Sequence, residues 1–317
     1  MHTSTLVRVT LRCCCIFVFV TIIAGYLFTF YKEHLGVYRT PQEIKSLTIS
    51  DSSQVTYQTW GEKGNQTVVL LHGTGANSFI WKDVAPLLTG QGYYVIAFDI
   101  PPFGWSQIPK NQDYRKEIQG ERLASALKGL QVHNPIIVGH SFSSKVAIQL
   151  GLLIPIKKLL LVAPVLDYTE PTTSPATQLI KVSFIRDPLL SLFINNSLLA
   201  ERLLYSFMYK KDVDIKEMTK LTTLPFNKPR VNHAYGEWFQ EFFIQKSLVS
   251  DSLSLQKVDA PIAVLWGDKD TIIGEENFEL LKAIKADATK TTLAEVGHMP
   301  HLENLKLFTE KLLESLR

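Results

Sequence analysis

Residues 135–144 read PIIVGHSFSS. Pro135–Val138 is a short, wholly apolar run, the mark of a strand buried on both faces. Phe142–Leu153 then follows helical spacing. Ser141 falls between the two, in the pattern G-x-S-x-small. A serine on such a strand–turn–helix corner projects its hydroxyl above the sheet. Gly139 is required there because a side chain would collide across the turn. Ser143 occupies the position where a second glycine is usual. A bare helix-capping role for Ser141 is the simpler alternative.

A serine hydroxyl becomes a nucleophile only beside a base, and the base needs a carboxylate to orient it. On an open α/β sheet the expected order is Ser, acid, His. The strand-like run Ile262–Trp266 ends in Gly267-Asp268-Lys269-Asp270, and Thr291–Ala294 ends in Glu295-Val296-Gly297-His298. Both lie at the carboxyl ends of strands, where such sheets bind ligands. Asp268 and Asp270 compete for the acid. Asp270 is preferred because Gly267-Asp268 is still turning off the strand. His298 and His301 compete for the base, and His298 directly follows the strand and Gly297. The run Thr67–Leu71 ends in His72-Gly73-Thr74-Gly75, where glycines let backbone approach a ligand. The N–H groups of Thr74 and Phe142 are the expected oxyanion donors.

Working outward, Gln54–Trp60, Tyr93–Phe98 and Lys158–Val162 also read as strands, with amphipathic helical runs between them. Asn65 sits in the turn between the first two strands, and Ser78 reads as the N-cap of the helix that follows. Alternating strands and helices imply a mainly parallel central sheet covered by helices on both faces. After Leu166 the alternation stops until about residue 247. A structureless loop of roughly 80 residues does not suit a compact domain, so 167–246 is expected to be an inserted helical cap. The expected plan is a tail over 1–12, a linker over 32–45, a core over 46–166 and 247–317, and the cap between. Apolar cap residues, among them Phe184, Leu189, Phe193, Leu203, Leu204, Tyr205, Phe207 and Met208, form the cap's own core or line an entrance for an apolar substrate.

The segments HGTGANSFIW from His72, DIPPFGWS from Asp99, GHSFSS from Gly139, WGDKD from Trp266 and VGHMPHLE from Val296 together resemble the α/β-hydrolase fold family. The resemblance covers roughly Val55 to Ser315. It implies Asp270 as the acid, His298 as the base and Glu303 as the partner of the GHxxxxE segment. Ser143 departs from the family's usual glycine. A serine nucleophile is unlike the epoxide hydrolase and haloalkane dehalogenase branches. The His72 segment and the cap are similar to carbon–carbon bond hydrolases and small esterases, and in plan to membrane-anchored monoacylglycerol-type lipases. The implied activity is hydrolysis of an ester or related acyl or C–C bond in a small apolar or lipid-like substrate, with no cofactor and no metal. An alcohol in place of water would make the same residues an acyltransferase. A binding member of the fold would typically lack a triad residue, and none is missing.

Thirty-three Lys+Arg against 30 Asp+Glu give a net charge of +3, and without a basic patch nucleic acid is not an expected partner. The only cysteines, Cys13, Cys14 and Cys15, exclude a disulfide framework and a Cys-rich zinc module. They begin an uncharged run from Cys13 to Tyr31, close to the ~20 residues that cross a bilayer as a helix. This run is longer than a signal-peptide core and ends in Tyr26, Phe28, Phe30 and Tyr31 rather than a small-x-small cleavage site. It predicts one retained transmembrane helix. The cysteines at its edge are open to S-acylation or are merely small residues of the span. Arg8 and Arg12, against Lys32, Arg39 and Lys45, tilt the balance slightly toward a cytoplasmic tail and an exported catalytic domain. The sequons at Asn65 and Asn195 fit that side without proving it.

Overall fold

The computed structural model describes residues 2–35, 38–166, 181–194, 196–244, 250–274 and 276–317; the side chains of 2–11 and 13–15 lie outside that description. Strands β1 (Lys45–Thr48), β2 (Gln54–Trp60), β3 (Thr67–Leu71), β4 (Tyr94–Asp99), β5 (Ile136–His140), β6 (Lys158–Val162), β7 (Ile262–Gly267) and β8 (Thr289–Leu293) form one sheet. Their order is β1-β2-β4-β3-β5-β6-β7-β8. Only the β1–β2 and β2–β4 pairings are antiparallel; from β4 to β8 every pairing is parallel. The helices, in chain order, are α1 (His2–Leu35), α2 (Val84–Thr89), α3 (Lys116–Gly129), α4 (Ser143–Leu153), α5 (Ser183–Ile194), α6 (Ser197–Ser206), α7 (Lys216–Thr223), α8 (Val231–Phe239), α9 (Asp251–Gln256), α10 (Glu276–Ile284), α11 (Pro300–Glu303) and α12 (Leu305–Leu316).

Alternate residues of each parallel strand feed opposite faces of the sheet. Val69, Leu71, Ile137, Leu159 and Val264 belong to one core with α3 and α4. Val68, Leu70, Val138, Leu160 and Leu265 belong to the other, with α2 and α12. A sheet buried on both sides needs apolar residues at every position, which is why β3, β5, β6 and β7 show no polar alternation.

Three expectations change here. The linker expected over 32–45 is trimmed at both ends, since α1 runs to Leu35 and β1 begins at Lys45, with 38–44 outside helix and strand. The cap of the first 3₁₀ turn (Ser78–Trp81) is Asn77, whose side chain accepts from Phe79 N–H. Ser78 donates its own N–H to buried Asp99 at 2.7 Å. Among the described residues, the buried apolar side chains of the cap join the two sheet cores rather than a separate one: Tyr235, Trp238 and Phe242 on one face, Met208, Ile215 and Met218 on the other, while Phe184 and Leu203 are exposed. Residues 167–180, Asn195, 245 and 246, and the Phe193 side chain, lie outside the described residues.

The expected transmembrane helix is not what the structure shows. Among the described residues no helix is long and apolar enough to cross a membrane. The run 13–31 lies inside α1, and one flank of it is covered by the cap. Gly25 is buried against α5, where an added Cβ would lie 2.4 Å from the Pro188 carbonyl oxygen. Ser191 Oγ donates to the Gly25 carbonyl at 3.1 Å, and Tyr26 Oη to the Phe184 carbonyl at 3.1 Å. The remaining flanks expose Ile16, Phe17, Phe19, Val20, Leu27 and Phe30.

A buried lysine fastens the cap to the core. Lys228, after the second 3₁₀ turn (Leu224–Asn227), donates to the carbonyls of Pro102, Gly104 and Ser106 at 2.8–2.9 Å. Burial pulls its ammonium down to about 7, opposed by the Asp99 carboxylate. Asp99 in turn accepts from Thr56 Oγ1, Ser78 N–H and Trp105 N–H.

Candidate active site

Ser141 stands between β5 and α4 with φ 56°, a strained left-handed conformation for a residue with a side chain. Its N–H donates to the Val162 carbonyl on β6, and its carbonyl accepts from Val165 N–H, so the neighbouring strand end holds the strain. An added Cβ at Gly139 would lie 2.9 Å from Ala147 Cβ and 3.0 Å from the Ser143 carbonyl oxygen. The turn therefore closes only over glycine at 139. At 143 serine fits: its buried hydroxyl accepts from His140 N–H at 2.9 Å, with the Leu71 and His140 carbonyls at 3.1 and 2.9 Å as acceptors. The departure from the usual glycine ties the elbow to the end of β3.

The structure brings Ser141, His298 and Asp270 together. Ser141 Oγ–H donates to His298 Nε2 at 2.9 Å, and His298 Nδ1–H donates to Asp270 Oδ2 at 2.9 Å. Asp270 Oδ1 accepts from Ile272 and Ile273 N–H at 2.9 and 3.0 Å. Both His298 and Asp270 are almost fully shielded from solvent. The rival residues stay apart. Asp268 meets Lys269 at 3.3 Å on the surface and Val296 N–H at 3.4 Å. His301 packs its ring between Trp81 and His140, 4.8 Å from each.

Glu303 fixes the base loop. Its buried carboxylate accepts from the N–H groups of Gly297, Met299, Tyr209 and Lys210 at 2.9–3.1 Å. This is the physical content of the spacing from Gly297 to Glu303: one anion collects four backbone donors and sets where His298 emerges. His140 adds a clamp that the sequence did not reveal, since its ring nitrogen Nε2 donates to the His298 carbonyl at 2.9 Å. Its place next to Ser141 was the available signal.

The loop after β3 lies against Ser141. An added Cβ at Gly73 would sit 3.5 Å from Ser141 Cβ and 2.6 Å from His140 Nδ1. His72 sets this loop. Ile100 N–H donates to His72 Nε2 at 3.0 Å, so the ring proton is on Nδ1 and goes to the Gly73 carbonyl at 2.8 Å. The N–H groups of Thr74 and Phe142 have no hydrogen-bond acceptor among the described residues. Backbone donors left open beside a serine hydroxyl can stabilise an oxyanion.

His72, His140 and His301 are all buried, and desolvation lowers each below the ordinary 6.5, His140 to about 3. Below 6.5 the unfolded chain binds more protons at these positions than the folded one, so stability falls as pH falls, and each of the three histidines adds to that loss in the same direction. The urea midpoint is expected to drop steeply from pH 6.5 to 5, and less steeply in His301→Phe. Equal midpoints at pH 7 and pH 5 would refute this.

Residues 66–305 match the alpha/beta hydrolase fold family. The chain belongs to that family. Similar proteins include a lipase of Moraxella sp. (strain TA144), 28% identical, with 83% of this chain and 81% of that protein covered. An uncharacterized hydrolase of Bacillus subtilis (strain 168) is 25% identical, covering 86% and 98%. A crystal structure of a membrane phospholipase A covers 100% of this chain and 98% of its own at 21% identity, with a TM-score of 0.69, and so shares the fold.

Proposed function

We propose that this hydrolase cleaves a carboxylic ester of a small apolar substrate, with Ser141 as nucleophile, His298 as base and Asp270 as the orienting acid. The observation that carries the reading is the unbroken path Ser141 Oγ–His298–Asp270 at 2.9 Å per step. Relatives named as lipases support an ester. In the proposed cycle His298 Nε2 takes the Ser141 proton as Oγ attacks the carbonyl carbon. The imidazolium then gives that proton to the leaving alkoxide, leaving an acyl-serine. Water, deprotonated by the same nitrogen, releases the acid. Thr74 and Phe142 N–H would hold the oxyanion at both tetrahedral stages. A fluorophosphonate probe is expected to label Ser141, followed by turnover of an ester chain-length series. No label at Ser141 in folded protein would remove the reading.

We also propose that α1 holds the protein at a membrane, with the catalytic domain on the exported side. The uncharged run 13–31 and the exposed Phe17, Phe19, Leu27 and Phe30 support attachment; Arg8 and Arg12 support the side. Asn65 is exposed in its turn. Expressed in a eukaryotic host, the protein is expected to gain glycan mass that Asn65→Gln removes. A catalytic domain without glycan and open to protease from the cytosol would reverse the side.

A further inference from the structure

Among the cap side chains, Tyr235 on α8 has a position that packing alone does not explain. Its ring is held by Phe103 and Trp238, each 5.4 Å away between centroids, and by Phe226 at 5.8 Å. The residue is 9% exposed, yet its hydroxyl has no hydrogen-bond partner among the described residues. The hydroxyl is not among the fully buried unpartnered atoms, so it keeps some access to solvent and is open to donate to a ligand.

The hydroxyl points at the oxyanion loop. A Cβ added to Gly75, at φ 72°, would have a single neighbouring atom within 4 Å, and that atom is Tyr235 Oη at 3.7 Å. The space over Gly75 is otherwise open. Gly75 is the residue after Thr74, whose N–H also lacks an acceptor. Tyr235 Oη therefore borders the same loop that carries the open Thr74 N–H.

We propose that Tyr235 Oη is a further catalytic residue, a side-chain donor to the substrate oxygen that becomes the oxyanion when Ser141 adds to the carbonyl. The proposal rests on the reading of Ser141 as nucleophile. The phenol keeps its proton throughout: the hydrogen bond shortens as negative charge gathers on the substrate oxygen, and no covalent bond to Tyr235 forms or breaks. Burial raises the phenol's pKa, which keeps it a donor rather than a phenolate facing an anion. Because the donor comes from the cap, the cap takes part in the chemistry as well as in substrate entry.

The test compares full-length wild type with Tyr235→Phe, which keeps the ring that Phe103, Phe226 and Trp238 hold. A short-chain p-nitrophenyl ester gives kcat and KM, and a boronic acid serves as the tetrahedral probe. The expected result is kcat lower by about 100-fold, KM within about threefold, boronate affinity weakened by a similar factor, and an unchanged Tm. Replacing Tyr235 with 3-fluorotyrosine changes acidity with little change of shape. It is expected to shift boronate affinity without shifting Tm, and this arm stands if Tyr235→Phe fails to fold. Wild-type kcat and boronate affinity in a folded Tyr235→Phe protein, or unmoved boronate affinity in the fluorotyrosine form, would overturn the role. Failure of the fluorophosphonate to label wild-type Ser141 would remove the Ser141 reading and this proposal with it. Labelled Ser141 together with an unaffected Tyr235→Phe would remove this proposal alone.

Discussion

Ser141→Ala is expected to lower kcat by about four to six orders of magnitude while the protein stays folded. Oγ makes one hydrogen bond, to His298 Nε2, and alanine keeps the Cβ that the turn already accommodates at φ 56°. The strain at this residue is thus unchanged and the fold loses one polar contact. What disappears is the atom proposed to bond to the acyl carbon. The open N–H groups of Thr74 and Phe142 would still polarise a bound carbonyl, which sets the residual rate above that in water. Near-normal turnover in a folded Ser141→Ala protein would end the mechanism. Thermal melting run beside the assay separates lost chemistry from lost structure.

Asp270→Asn is expected to cost about 10⁴-fold in kcat, whereas Asp268→Asn leaves kcat within about threefold. The reason lies in the two oxygens of Asp270. Oδ1 accepts from the N–H groups of Ile272 and Ile273, so an asparagine would keep its carbonyl there. Its NH₂ would then face His298 Nδ1 and force that nitrogen to accept. The ring proton would move to Nε2, which could no longer take a proton from Ser141. Asp268 makes a surface pair with Lys269 at 3.3 Å, a contact worth little. A larger loss in Asp268→Asn than in Asp270→Asn would exchange their roles.

The parts of the fold that were readable from sequence share one property: local chemistry forces them. β3, β5, β6 and β7 are apolar at nearly every position, and each ends in a glycine or a short turn that the sheet requires. Ser141 and Asp270 stand at two such ends, those of β5 and β7, while His298 follows β8, a more polar and exposed strand, where Gly297 and the spacing to Glu303 were the signal. Where no local signal exists, expectation failed. Lys45–Thr48 is a four-residue edge strand, largely exposed, with no composition to mark it as a strand, and its first residue was expected to end the linker. Tyr235 lies on a helix of the cap, where no motif marks which side chain turns inward. The run 13–31 is apolar all round, so its hydropathy could not tell which flank α5 would cover. Only Gly25 hinted at a close approach, and nothing identified Pro188 as the neighbour.

That seam between Gly25 and α5 has a consequence for the order of synthesis. The hydrogen bonds that join the two helices link residues 158 and 166 positions apart. At about 5–20 residues per second, the ribosome finishes α1 roughly ten to thirty seconds before it has made the helix that covers it. During that interval the run 13–31 lacks its α5 cover, and long-range contacts of this kind form late in any case. On the membrane attachment proposed for α1, the nascent chain has a shelter for it during that interval. A lipid surface reached during translation would supply one, and the cap would then complete its folding against a helix already in place.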